Sequence, residues 1–230
     1  MKRFWTLAEV VEADDGYGIA LDGRRVKTPA RVDLAVADRA LAEAIAGEWN
    51  DCGAEIDPRA MPLTGLANAA VDRVAADPAA FAAGLAEYAK GDLLCYRADA
   101  PQLLIDRQAA QWDPLLAWSR RRFDVDFTIT TGIMHVDQPP VTVARLAHAV
   151  AVLAPFTLAG LSPLVTIGGS LVTALALLEG EIDVAAAWAA VSVDDAWQAE
   201  KWGADEEAVA ALAWKRLDFE AAARFLSLLS

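Results

Sequence analysis

The chain has 230 residues, with 33 acids against 20 lysines and arginines, a formal net charge of −13. Such a balance repels a phosphate backbone and excludes nucleic acid as the main partner. Two cysteines, Cys52 and Cys95, are too few for a disulfide scaffold or a zinc cluster and suit a reducing cytoplasm. The hydrophobic fraction is 56% and rich in alanine, yet it holds no convincing membrane span. The nearest stretch, 141–178, is interrupted by Arg145, His148, Pro155 and Pro163, whereas a spanning helix needs about 20 mainly apolar residues.

The opening MKRFWTLAEV passes almost directly into folded-looking sequence, with the pattern of neither a signal nor a transit peptide. Residues 3–36 read as antiparallel strands. Phe4–Leu7 with Val10–Val11 form one run, Asp14-Asp15-Gly16 a turn, and Tyr17–Leu21 the next strand. Asp22-Gly23 is a two-residue hairpin signal, because both turn positions want positive φ. Arg24–Thr28 returns, and Val32–Val36 is an edge strand. A sheet this small needs a cover. The helix expected over 39–50 supplies one, with Leu41, Ile45 and Trp49 on a single stripe.

From Met61 the pattern is helical. Helices are expected over 63–76, from Asp77-Pro78 through Tyr88, and from an Asp99 cap through Trp118, where Pro114 should bend the chain. Phe123–Ile133 alternates and predicts one late strand; Thr142–Leu153 predicts a helix. Ser162-Pro163 is expected to start the most apolar helix, running through Leu178. Ser192 with Asp195 suggests a capping box, Trp202-Gly203 a helix end, and Asp205 the start of the last helix. That helix is expected to bury Ala210, Trp214, Leu217, Ala221, Phe225 and Leu228. The class is therefore α+β: a β-rich N-terminal domain over 1–57 with one covering helix, then an α-helical domain over 58–230.

No catalytic set survives this reading. Gly168-Gly169-Ser170 has no lysine nearby and falls in an apolar helical pattern, so close helix packing accounts for it better than a phosphate cradle. His135, near Asp137, could act as a general base in a cleft between the two domains. No serine or cysteine is placed beside it by sequence, and a surface or capping histidine is the simpler account. Cys95 is flanked by apolar residues and reads as a small hydrophobe. The acids at 194–207 lack the spacing of a hard-cation loop. They form a solvated or partner-facing surface at a helix–turn–helix corner. The eight tryptophans suit either a helical core or the centre of an interface.

Asp194-Asp195, Gln198, Trp202-Gly203, Asp205 and Glu207 resemble the C-terminal signature of the assembly chaperones that handle the F1-ATPase alpha subunit in mitochondria and alphaproteobacteria. The resemblance extends in order along the chain. It takes in Gly23-Arg24 with 26–30, Glu48-Trp49, 56–58, 61–64, Asn68, Asp72, 92–97, Gln108, 112–115, Gly132-Ile133, Gln138-Pro139 and Gly169-Ser170. Cys52, Asp195, Trp197 and Ala204 depart from the usual pattern. The resemblance implies a chaperone that binds the unassembled F1 alpha subunit without ATP hydrolysis; a monomer is expected, with no cofactor and no metal. It implies a bacterial cytoplasmic setting, with the mitochondrial matrix for eukaryotic relatives. Asp194, Asp195, Gln198, Trp202, Asp205 and Glu207 are its implied partner-binding residues.

Overall fold

The computed structural model describes residues 2–14, 16–203 and 205–229. Asp15 of the first expected turn, and Ala204, one of the departures noted above, lie outside them. The class is α+β, with a small antiparallel sheet followed by a larger helical region. By packing the chain forms two compact units. One comprises Met1–Pro78, Ala154–Gly160 and Arg224–Ser230; the other comprises Ala79–Leu153 and Leu161–Ala223. The compositional change near residue 57 marks where strands give way to helices, which is a different division.

In the first unit β1 (Ala8–Ala13) pairs antiparallel with β2 (Gly16–Leu21), in register from Ala8 opposite Leu21 to Ala13 opposite Gly16. The far edge of β2 carries two short strands, β3 (Arg24–Arg25) and β4 (Ala35–Val36). Asp22 and Gly23 take φ of 48° and 79°, as the hairpin signal required. The first strand starts later than its apolar residues suggest. Phe4 and Leu7 are exposed, and the Asp22 carboxylate accepts the Thr6 and Leu7 N–H groups instead of a ladder. Helix α1 (Arg39–Asp51) packs on β1 and β2, burying Leu41 and Ile45, with Trp49 half-buried. Glu48 of α1 accepts the Leu63 and Thr64 N–H groups, each at 2.8 Å, and so caps α2 (Pro62–Ala69). Helix α2 continues into one π-helical turn, Ala70–Val74.

The second unit is helical. Helix α3 (Pro78–Ala86) leads through short 3₁₀ turns to β5 (Tyr96–Arg97), then α4 (Gln102–Phe123), which runs through Pro114. The late strand shrinks to β6 (Thr130–Thr131), parallel to β5. Val125 and Phe127 are buried in chain that belongs to no strand, so their alternation marks a packed edge of coil. Helices α5 (Pro140–Ala151), α6 (Pro155–Gly168), α7 (Leu171–Leu178), α8 (Val184–Val191), α9 (Val193–Trp202) and α10 (Glu206–Ser227) complete the chain.

Four local expectations are corrected. Asp99 does not cap α4, which begins at Gln102 after Pro101. Pro163 lies inside α6, and the apolar helix breaks later, at Gly169 with φ 65°. Ser170 then caps α7 by accepting the Thr173 N–H at 3.0 Å. A Cβ on Gly168 would stand 2.9 Å from Val191 Cγ1, so close packing of α6 on α8 requires glycine there. Ser192 makes no capping bond to α9; its hydroxyl donates to Trp188 O of α8. The buried face of α10 is Phe219, Ala222 and Phe225, while Trp214 and Leu217 are more than half exposed.

Candidate partner-binding corner

The acids and aromatics singled out in the sequence sit on α9 and the first turns of α10. Two neighbouring positions on α4 hold α9 in place, and a third holds the end of α8 that leads into it. Arg107 forms a bidentate pair with Glu200, at 2.7 and 2.9 Å, and lies over the Trp197 ring at 5.1 Å. The hydrogen bond from Arg107 holds the Glu200 carboxyl below its ordinary range. Gln108 is buried and bridges two elements: its Nε2 donates to Asp194 Oδ1 at 2.8 Å, and its Oε1 accepts the Ala98 N–H at 2.8 Å. Trp112, with no exposed surface, donates from Nε1 to Ala190 O at 2.7 Å. Trp197 is buried beneath α9, with Lys201 Nζ 4.7 Å from its ring centre. A planar guanidinium and an amide thus fix one face of α9 and leave the other to solvent.

Gly203 ends α9 with φ 76°, the left-handed conformation that favours glycine. Asp205 then caps α10: its Oδ1 accepts the Ala208 N–H at 2.7 Å. Beyond this cap the helix is almost bare. Every residue from Glu206 to Asp218 is exposed except Leu212, including Val209, Trp214 and Leu217.

Two shallow concavities flank α9. One, of about 480 Å³, lies between α9 and α10 and is lined by Asp195, Gln198, Asp205, Val209 and Arg216 among others. The other, of about 420 Å³, lies toward the start of α4 and is lined by Asp194, Trp197, Gln198 and Trp202 among others. Gln198 is common to both. The six residues divide by placement. Asp194 is half-buried, accepts from Gln108 and lines the second concavity. Asp195, Gln198, Trp202 and Asp205 face the concavities. Glu207 is exposed on the first turn of α10 and lines neither. Arg107 and the exposed side of α10 escaped the sequence reading. Arg107 carried no motif, and Trp214 and Leu217 repeat at the spacing of a buried stripe.

The remaining candidates are built as structure. His135 does gain partners: its Nδ1 lies 3.1 Å from the Tyr96 hydroxyl and its Nε2 3.1 Å from Asp137 Oδ1. The His135 and Asp137 side chains are 61% and 99% exposed, so water screens the pair. Burial pushes the Cys95 thiol up to about 12, the state of an inert hydrophobe. At Gly169-Ser170 the start of α7 is already taken by a carboxylate, since fully buried Asp92 accepts the Val172 N–H at 3.0 Å. That leaves no room for phosphate. Among the described residues no three His, Cys, Asp or Glu side chains converge as for a metal. No described helix is long and apolar enough to cross a membrane.

Residues 2–120 match the family model described as ATP12 chaperone protein. The chain belongs to the ATP12 chaperone family. The match extends to whole solved structures. Atp12 from Paracoccus denitrificans is 42% identical, with a TM-score of 0.93 over 99% of this chain and 97% of that one. A lysine-for-aspartate variant of the same Paracoccus protein matches equally, at 42% identity, TM-score 0.93 and the same coverage. A protein from Agrobacterium tumefaciens is 37% identical, with a TM-score of 0.94 over 100% of this chain and 86% of that one. The family model ends at residue 120, before α9 and α10 begin, so this ATP12-family corner is matched through the solved structures.

Proposed function

We propose that the protein is an ATP-independent assembly chaperone of the bacterial cytoplasm that binds the unassembled F1-ATPase alpha subunit. It would shield the surface of that subunit that later meets its neighbours. The observation that carries the reading is the α9–α10 corner of an ATP12-family chain, where exposed Trp202, Val209, Trp214 and Leu217 stand among Asp205, Glu206 and Glu207. A soluble protein keeps apolar side chains of this size on one helix face when another surface covers them in use. A lone alpha subunit exposes apolar surface of its own and aggregates unless it is covered. A holder must also let go, which calls for moderate affinity; picomolar binding would stall assembly.

Apolar contact supplies the hold in this account, and the acids select a client surface with basic groups. Glu207→Lys reverses one charge on an exposed first turn, so the fold should persist while capture weakens several-fold. The check is co-purification of F1 alpha subunit with the wild type and the variant at equal expression. Equal recovery would remove the electrostatic part of the reading. No recovery with the wild type would remove the client.

A further inference from the structure

The concavity on the α4 side of α9 is lined by Gly132 and Ile133 as well as by Trp202 at the end of α9. Ile133 is 95% exposed and Trp202 77% exposed, and both line this one groove. Leu104 and buried Trp197 line it too. This part of the lining is held, not loose. Gly132 N–H donates to Arg97 O at 2.8 Å, next to the β5–β6 pairing, and His135 fastens the following turn to Tyr96 and Asp137. The hydrogen bonds of His135 thus have a use without chemistry: they present Ile133.

The charge of the lining selects an occupant. The carboxylates in the lining are Asp99 and Asp194. The one cation in the lining, Arg97, is bound to Asp113 at 2.7 Å and packs over Trp112. The groove therefore offers apolar walls and net negative charge.

We infer that this groove receives an apolar segment of the client that carries a cationic side chain. The apolar residues of the segment would lie against Ile133 and Trp202, and its cation beside Asp99. The inference rests on the chaperone reading and adds a site to it: Ile133, Leu104 and Asp99 join Trp202 as client contacts.

The test uses the full chain and two probes. The first is a labelled peptide of alternating leucine and valine with a central lysine, compared with its glutamate-for-lysine counterpart. The second is co-expressed F1 alpha subunit. The wild type should bind the lysine peptide at least tenfold more tightly than the glutamate peptide. Ile133→Asp should lose tenfold or more of that binding and of alpha-subunit recovery. Asp99→Lys should erase the preference for lysine. Ile133 and Asp99 are exposed, so circular dichroism and thermal unfolding should not change, which separates lost contact from lost fold. Absence of lysine-peptide binding, or undiminished alpha-subunit recovery with Ile133→Asp, would overturn the inference. If the wild type binds the peptide but never recovers the alpha subunit, the client identity fails while the preference of the groove stands.

Discussion

Helices α7 and α10 each have an aspartate carboxylate on a first-turn N–H, and the two starts are opposite in kind. At α7 the carboxylate is Asp92, from 80 residues earlier in the chain, with no exposed surface. It accepts the Leu94 N–H at 3.1 Å and the Val172 N–H at 3.0 Å, and the helix it caps buries Leu171 through Ala176. At α10 the carboxylate is Asp205, local and exposed, and the turns that follow are bare to solvent. The same device, an acid on a helix N-terminus, locks a core in one place and stiffens a displayed surface in the other. An acid with all its partners inside the fold is structural. An acid that caps a helix whose following turns are bare, as Asp205 does, is what the proposed client surface requires.

The contrast is broken most severely at the buried start. Asp92→Ala leaves the Leu94 and Val172 N–H groups buried without an acceptor, at about 1–3 kcal/mol each. The variant should lose about 3–5 kcal/mol in chemical denaturation, consistent with breaking a buried charged network. A loss under 1 kcal/mol would mean that this cap is dispensable.

A pH profile sharpens the same point. Burial pushes the Asp92 carboxyl up from 3.8 to about 6, against the opposing pull of its N–H donors. The folded state then holds a proton that the unfolded state has released. The contribution of this group is full below about pH 4 and declines as pH rises through about 6. Asp92→Asn cannot titrate, so unfolding measured from pH 4 to 7 should lose this downward component. An unchanged profile would place the titration elsewhere.

At the exposed start the effects are smaller. Asp205→Ala removes one exposed cap, and about 1 kcal/mol of stability should go with it. Loss of client recovery should exceed what that stability change explains, because the displayed turns of α10 fray. Smallest of all is the effect of Leu217→Ser on stability, within about 0.5 kcal/mol, since the side chain is already mostly in water. A large destabilisation would mean that this face is packed in solution.

What could be read in advance follows from the range of each interaction. The Asp22-Gly23 hairpin, the Gly203 helix end and the Asp205 cap are set by residues adjacent in sequence, and all three are present. The tie from Asp92 to α7 joins distant residues and had no local mark. The break at Gly169 was hidden because apolar residues continue on both sides of it. The final helix was misread for a different reason. Trp214 and Leu217 stand at core spacing, and periodicity reports that a face is apolar without saying whose surface covers it. That error lies at the proposed client site, where a face made for a partner looks like one made for the core. The acids of the corner were legible as a group, but the bond to Asp194 from Gln108, 86 residues away, was not.

The most direct test replaces the apolar display and leaves the acids in place. F1 alpha subunit is co-expressed with the wild type and with a variant carrying Trp202→Ser, Trp214→Ser and Leu217→Ser, and soluble alpha subunit is measured. The account expects the variant to unfold at nearly the wild-type temperature and to keep at least tenfold less alpha subunit in solution. Equal soluble alpha subunit with both proteins would contradict it.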